Sequence, residues 1–334
     1  MGRSCIEDMR RIYKNLTELV GNTPLMELPR FCRERGIDTP LIAKLEMMNP
    51  LSSAKDRVGL ALIEDAEKKG LLNKDTLILE ATSGNTGVGL GFVAAAKGYR
   101  VVLAMPETMS MERRMLLAAL GAELILTDGA KGMKGSIEAI ERIAKENPNS
   151  LIANQFGNPA NPAAHRAGTG PEIWRDTGGG VDAFVSAGRS SGTVTGVGEF
   201  LKSKNPDIQI VAAEPERSPV LSGGAPGPHK IQGIGPGFVP EVLNREILDE
   251  IITVGDGEAY AACRTLARTE GLLAGISSGA ALCAAAKFAN RPENRGKKIV
   301  VLLPDTGERY LSCGLFESEE QAGAGRLRSA GSAE

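Results

Sequence analysis

Aromatic residues are scarce in this chain: Phe, Trp and Tyr together make 4% of 334 residues. A surface that stacks nucleic-acid bases needs more of them, and a formal net charge of −2 offers no basic excess for a phosphate backbone. Histidine is scarcer still, with His165 and His229 alone. Two histidines leave little for a His-based metal site or a Ser-His-Asp triad. The five cysteines, Cys5, Cys32, Cys263, Cys283 and Cys313, are odd in number, widely spaced and form no C-x-x-C. That pattern predicts reduced thiols, not a disulfide frame or a zinc site. No apolar run reaches the length of a membrane span, and residues 1–14 are polar, without the apolar stretch of a signal peptide. Met1-Gly2 matches the start of a myristoylation signal, but Ile6 stands where Ser or Thr is required. The expected location is the cytoplasm. Nucleotide fingerprints are missing as well. No G-x-x-x-x-G-K-[ST] occurs, and Gly87-Val88-Gly89 runs on to Phe92 where a dinucleotide fold needs its third glycine.

What is present is glycine, 41 residues of it, clustered in short loops between alternating strand and helix patterns. A chain of this length predicts two domains. The pattern predicts strands over Leu41–Leu45, Thr76–Glu80, Arg100–Met105, Leu124–Thr127, Ala183–Ser186, Gln209–Glu214 and Lys298–Pro304. It predicts helices over Ala54–Lys69, Thr86–Lys97, Met109–Leu120, Met133–Glu146, Thr193–Ser203, Gly257–Thr269 and Ser278–Ala289. Such alternation argues for an α/β fold of largely parallel sheets flanked by helices. The Gly-, Ala-, Ser- and Glu-rich tail, 317–334, is expected to be disordered.

One feature recurs. A strand ends, a loop of Ser, Thr and Gly follows, and a helix begins. The loops are Thr82-Ser83-Gly84-Asn85-Thr86-Gly87, Ser190-Ser191-Gly192-Thr193-Val194-Thr195-Gly196 and Gly275-Ile276-Ser277-Ser278-Gly279-Ala280. Unpaired N–H groups at a helix start bind anions, assisted by the helix dipole. One such loop is also what an ordinary Ser or Thr N-cap looks like. Three predict a ligand with several anionic groups, such as a phosphate plus a carboxylate. Lys55, in Asn49-Pro50-Leu51-Ser52-Ser53-Ala54-Lys55-Asp56-Arg57, falls at a helix start, where a cation opposes the dipole. A lysine kept there is a candidate amine nucleophile or base.

This stretch resembles the cofactor-lysine motif of fold-type II pyridoxal-phosphate enzymes, in particular the cysteine synthase (O-acetylserine sulfhydrylase) branch. The resemblance runs from Gly21-Asn22-Thr23-Pro24-Leu25 to Gly307-Glu308-Arg309-Tyr310. Between them come the Thr82 loop, Gln155-Phe156-Gly157-Asn158-Pro159, Gly170-Pro171-Glu172-Ile173-Trp174 and His229-Lys230-Ile231-Gln232-Gly233-Ile234-Gly235. The resemblance implies pyridoxal 5′-phosphate as cofactor. It implies that Lys55 attaches covalently to it and, once released, moves the substrate Cα proton. Thr82, Ser83, Thr86 and Gln155 would bind the substrate carboxylate, and one of these hydroxyls could instead cap a helix. Asn85 would bond the cofactor's 3′-oxygen. Ser190, Ser191, Gly192 and Thr193 would bind its phosphate. Ser277 would face the pyridine nitrogen, with Ser278 as the N-cap of the following helix. A neutral serine does not force a proton onto that nitrogen, which favours loss of a β-substituent over transamination.

One residue departs from the family pattern. Arg189 stands where a glycine is usual. The expectation is that it points to solvent. The implied domains are a small mobile substrate-loop domain, 48–160, and a large cofactor-binding domain, 1–47 with 161–316. The implied reaction is β-replacement of O-acetyl-L-serine by sulfide in a homodimer. Alternatives are a cystathionine β-synthase, an O-phosphoserine sulfhydrylase, or a catalytically impaired paralogue that binds the serine acetyltransferase C-terminal tail. No regulatory domains or haem segment are found for the first. Gly233-Ile234-Gly235-Pro236-Gly237 adds no arginine for the second. Intact Lys55 argues against the third.

Overall fold

The computed structural model describes residues 12–82 and 84–317, so residues 1–11 with Cys5, Ser83 and the tail from 318 onward lie outside the described residues. The strands are β1 (Leu25–Glu27), β2 (Leu41–Leu45), β3 (Leu77–Ala81), β4 (Arg100–Pro106), β5 (Glu123–Thr127), β6 (Ser150–Ile152), β7 (Ala183–Ala187), β8 (Gln209–Pro215), β9 (Glu250–Val254) and β10 (Ile299–Leu303). The α-helices are α1 (Pro29–Glu34), α2 (Lys55–Lys68), α3 (Asn85–Lys97), α4 (Met111–Ala119), α5 (Gly132–Glu146), α6 (Ala160–Ala164), α7 (Gly170–Asp176), α8 (Gly192–Lys204), α9 (Asp256–Glu270) and α10 (Ile276–Ala289). None of these helices is long and apolar enough to cross a membrane. By their contacts the described residues form two units, 12–22 with 49–51 and 55–154, and 23–48 with 52–54 and 155–317.

In the first unit a parallel sheet runs in the order β5-β4-β3-β6. Leu79, Val102 and Ala104 of the sheet pack on Ala139 and Ile140 of α5. Helices α2 and α3 touch backbone to backbone. A Cβ on Gly59 would lie 2.4 Å from the Gly89 carbonyl carbon, and one on Gly89 would lie 2.3 Å from Lys55 O. Only glycine permits that approach, so this pair fixes the start of α2 against α3.

The second unit holds a six-stranded sheet, β1-β2-β10-β7-β8-β9, parallel except for β1. Alternate residues of β10 enter opposite cores. Ile299, Val301 and Leu303 pack with Cys263, Leu266 and Phe288 of α9 and α10. Val300 and Leu302 pack with Ile173 of α7 and Val197 and Leu201 of α8. Both faces are covered, which is why the strand reads as an unbroken apolar run. Charge is sealed in as well: the Lys44 ammonium, fully buried, donates to Glu172 Oε2 (2.7 Å) and to Thr23 O (2.5 Å). Cys32, Cys263, Cys283 and Cys313 are free thiols. Burial pushes Cys263 up to about 12 and Cys283 up to about 11, so both stay protonated at neutral pH.

Candidate active site

In the first unit Lys55 opens α2 and is half-buried. The residues just before it are tied down: the Ala54 N–H donates to Pro304 O (2.8 Å), and Ser53 bridges to Asp305. On its other side the Leu51 N–H donates to the buried Asp56 carboxylate (2.6 Å). Within the first unit the Gly89 contact limits the Lys55 backbone, while its side chain keeps four rotatable bonds. Across the Gly59–Gly89 contact, α3 begins directly after β3. The Thr82 N–H donates to Ala104 O (3.0 Å), which ends the loop on β4. The Gly84 N–H donates to Thr82 Oγ1 (3.3 Å). An oxygen that accepts this bond still has its own proton to give. Thr82 and Thr86 are buried, and Asn85 is half-buried at the first position of α3. Ser83 lies outside the described residues.

In the second unit Gln155 is buried at 3% exposure. Ser190, Ser191, Gly192 and Thr193 form a buried turn from β7 into α8. Ser191 is the N-cap of α8 in a left-handed conformation, φ 60° and ψ 1°, and no side chain caps the helix. The first-turn N–H groups, for which an α-helix holds no partner, are thus left to a ligand, with the Ser190 and Thr193 hydroxyls beside them. This cradle fits a phosphate dianion, and with it the cofactor that the sequence implies.

The loop before α10 follows a helix, α9, and not a strand as the sequence pattern suggested. Gly275 is the N-cap, with no side-chain cap. This corrects the expectation for Ser278. The helix starts at Ile276, so Ser278 lies inside the first turn, and its N–H donates to Gly275 O (2.9 Å). Its buried hydroxyl has no hydrogen-bond partner among the described residues. Ser277 lies one residue earlier, beside Gly233, whose Cβ would stand 3.5 Å from Ser277 Oγ. Among the described residues none of α3, α8 and α10 shows a side-chain cap.

Two further residues of this unit carry no signal in the sequence. Asn161, fully buried on α6, donates from Nδ2 to Gln155 O (2.8 Å) and to Ser190 Oγ (3.0 Å). His165, also fully buried, places Nε2 3.1 Å from Thr193 Oγ1 and Nδ1 2.9 Å from Thr169 Oγ1. His165 opens a π-helical turn, His165–Thr169, a feature often found at functional sites. His229, by contrast, places Nε2 3.2 Å from Gly235 O within its own loop.

Arg189 is half-buried, not turned out to solvent as expected. Its Nε is buried, and Ser190 beside it is buried as well. Its φ is not positive; the left-handed position has moved to Ser191. Glycine would relieve no strain at 189. Arg189→Gly is therefore expected to change cofactor affinity by less than about tenfold, roughly 1.4 kcal/mol. Cofactor release from both forms checks this. A much larger weakening would assign the guanidinium to the phosphate.

Comparison with known proteins places this geometry among relatives. The profile of the family described as pyridoxal-phosphate dependent enzyme matches residues 16–305. A cysteine synthase from Staphylococcus aureus is 50% identical over 307 residues, 92% of this chain and 98% of that protein. The crystal structure of a cysteine synthase from Entamoeba histolytica superposes with a TM-score of 0.90 at 50% identity, covering 93% of each chain. A hydrogen sulfide-producing enzyme from Fusobacterium nucleatum superposes with a TM-score of 0.86 at 42% identity, covering 91% of this chain and 100% of that one.

Proposed function

The chain belongs to the pyridoxal-phosphate dependent enzymes, and from that premise we propose how its residues make L-cysteine and acetate from O-acetyl-L-serine and sulfide. The observation that carries the reading is the set of three small-residue loops, two between a strand and a helix and one between α9 and α10, whose helices show no side-chain cap among the described residues. They offer donors for one phosphate and one carboxylate, the anions of this cofactor and this substrate.

When bound, pyridoxal phosphate supplies an electron sink for negative charge at the substrate Cα. Lys55 holds the cofactor covalently. The Lys55 amine, once free, would take the Cα proton as acetate leaves Cβ and would return a proton to Cα after sulfide has added at Cβ. Thr82, Ser83, Thr86 and Gln155 orient the substrate carboxylate. Asn85 holds the ring oxygen, Ser190 to Thr193 hold the phosphate, and Ser277 faces the ring nitrogen as a neutral partner.

Gln155→Ala and Thr82→Ala are each expected to weaken acetylserine binding by roughly 1.5–3 kcal/mol, the worth of a hydrogen bond to a charged group. The cofactor spectrum should stay as in the parent. Titration with acetylserine measures both, and unchanged affinity in the two variants would give the loop another job.

The test of the whole reading is the visible spectrum of the purified holoprotein. Acetylserine should change it, and sulfide should restore it. A protein that responds to O-phosphoserine and not to acetylserine would replace this reading with the phosphoserine one.

The same resemblance supports a homodimer and a serine acetyltransferase tail as partner, which sedimentation and a tail-peptide titration would examine. Free thiols at Cys32, Cys263, Cys283 and Cys313 support a reducing compartment such as the cytoplasm.

A further inference from the structure

We infer that Asn161 is a positioning residue that aims the Ser190 hydroxyl at the cofactor phosphate and ties it to Gln155; this rests on the phosphate reading of the Ser190–Thr193 loop. The Asn161 amide is fully buried, and its orientation is fixed by chemistry. Gln155 O is a carbonyl and accepts only, so the amide nitrogen must face it at 2.8 Å. The second proton of the same nitrogen then points to Ser190 Oγ at 3.0 Å. A hydroxyl has one proton and two lone pairs. With one lone pair taken by Asn161, the Ser190 proton is turned away from the amide and is available as a donor to an anion.

The amide cannot rotate out of this arrangement. It lies flat on Gly192, where a Cβ would stand 2.0 Å from Asn161 Oδ1. Glycine at 192 thus makes room for Asn161, whether or not its backbone also approaches the phosphate. Asn161 Oδ1 is sealed without a hydrogen-bond partner among the described residues. Packing alone would favour an apolar side chain there, since an unsatisfied buried acceptor is unfavourable. The amide is kept for its two donated bonds, one to the loop that binds the phosphate and one to the residue that binds the substrate carboxylate.

The test compares binding of pyridoxal 5′-phosphate and of pyridoxal to the full-length protein after cofactor removal. Each comparison is a ratio within one protein, so a general loss of stability cancels. The parent should strongly prefer the phosphorylated form. Asn161→Ala should lower that preference by about tenfold, the scale of one charge-assisted hydrogen bond. Asn161→Asp keeps the volume and should lower it at least as far. In a Ser190→Ala background, where no hydroxyl remains to be aimed, Asn161→Ala should lower it by much less. An unchanged preference in both Asn161 variants overturns the inference. So does an equal loss with and without Ser190. A parent with no preference for the phosphate overturns the loop reading itself, a different and recognisable failure.

Discussion

Replacing Lys55 by alanine is expected to abolish turnover and covalent cofactor attachment together. On the proposed reading the same amine holds the cofactor and then carries the Cα proton, so no other group retains half of the role. Proton transfer by a placed side chain is worth about 10²–10⁴ in rate, and losing the covalent hold adds to that. Within the first unit the Gly89 contact holds the Lys55 backbone, while its side chain is only half-buried. Borohydride reduction of the holoprotein followed by peptide mapping should place the label on Lys55. Lys44 is a poor candidate because its ammonium is fully buried against Glu172. Lys230 lies on an exposed loop, its backbone N–H held by Asp256. A label on either would remove Lys55 from its role.

The next largest loss is expected from a residue that meets no substrate. In an ordinary helix interior, alanine is better than glycine by about 1 kcal/mol. Gly89→Ala should reverse that sign. Its Cβ would stand 2.3 Å from Lys55 O, and a backbone atom cannot swing aside as a side-chain tip can. Either α3 or the start of α2 must shift, and with it Lys55. A displacement near 1 Å at a catalytic group costs about 10²-fold, so kcat should fall on that order, with a lowered Tm. The control is Gly91→Ala on the same helix. Its Cβ would meet only the Leu120 side chain at 3.5 Å, an ordinary contact. That variant should keep its kcat and its stability. If Gly89→Ala matches Gly91→Ala in both respects, the crossing does not position Lys55.

The interior strands of both sheets are legible in the sequence, and of the four edge strands only β5 is. Strand β10 is buried on both faces and reads as a continuous apolar run; β2, β4, β7 and β8 fall within a residue or so of their expected ends. The strands without a sequence signal, β1, β6 and β9, all lie at sheet edges, and two of them are three residues long. An edge strand lacks the two-sided burial that gives an unbroken apolar run, and β1 and β6 are also too short to show a period. The run from α6 through the π-turn to α7 is hidden because Pro159, Pro162, Gly170 and Pro171 read as loop signals. Asn161 and His165 lie in that run. Neither falls in a spacing that announces a ligand, because each acts on another side chain, and only the fold brings it there. Lys55, the Thr82 loop and the Ser190 loop are legible because their small residues recur at strand-to-helix junctions. Which hydroxyl caps a helix and which is left to a ligand is not, since that depends on where the helix starts. A shift of two residues, from Ser278 to Ile276, decides it for α10.

The central claim is that this chain exchanges the acetoxy group of O-acetyl-L-serine for sulfide. The most direct measurement incubates the purified holoprotein with O-acetyl-L-serine and sulfide and follows cysteine and acetate together. One cysteine and one acetate should form for each acetylserine consumed, and O-phosphoserine in its place, or homocysteine in place of sulfide, should give far slower product formation. Absence of cysteine from acetylserine and sulfide, with phosphoserine turned over or cystathionine formed from homocysteine, would contradict the account.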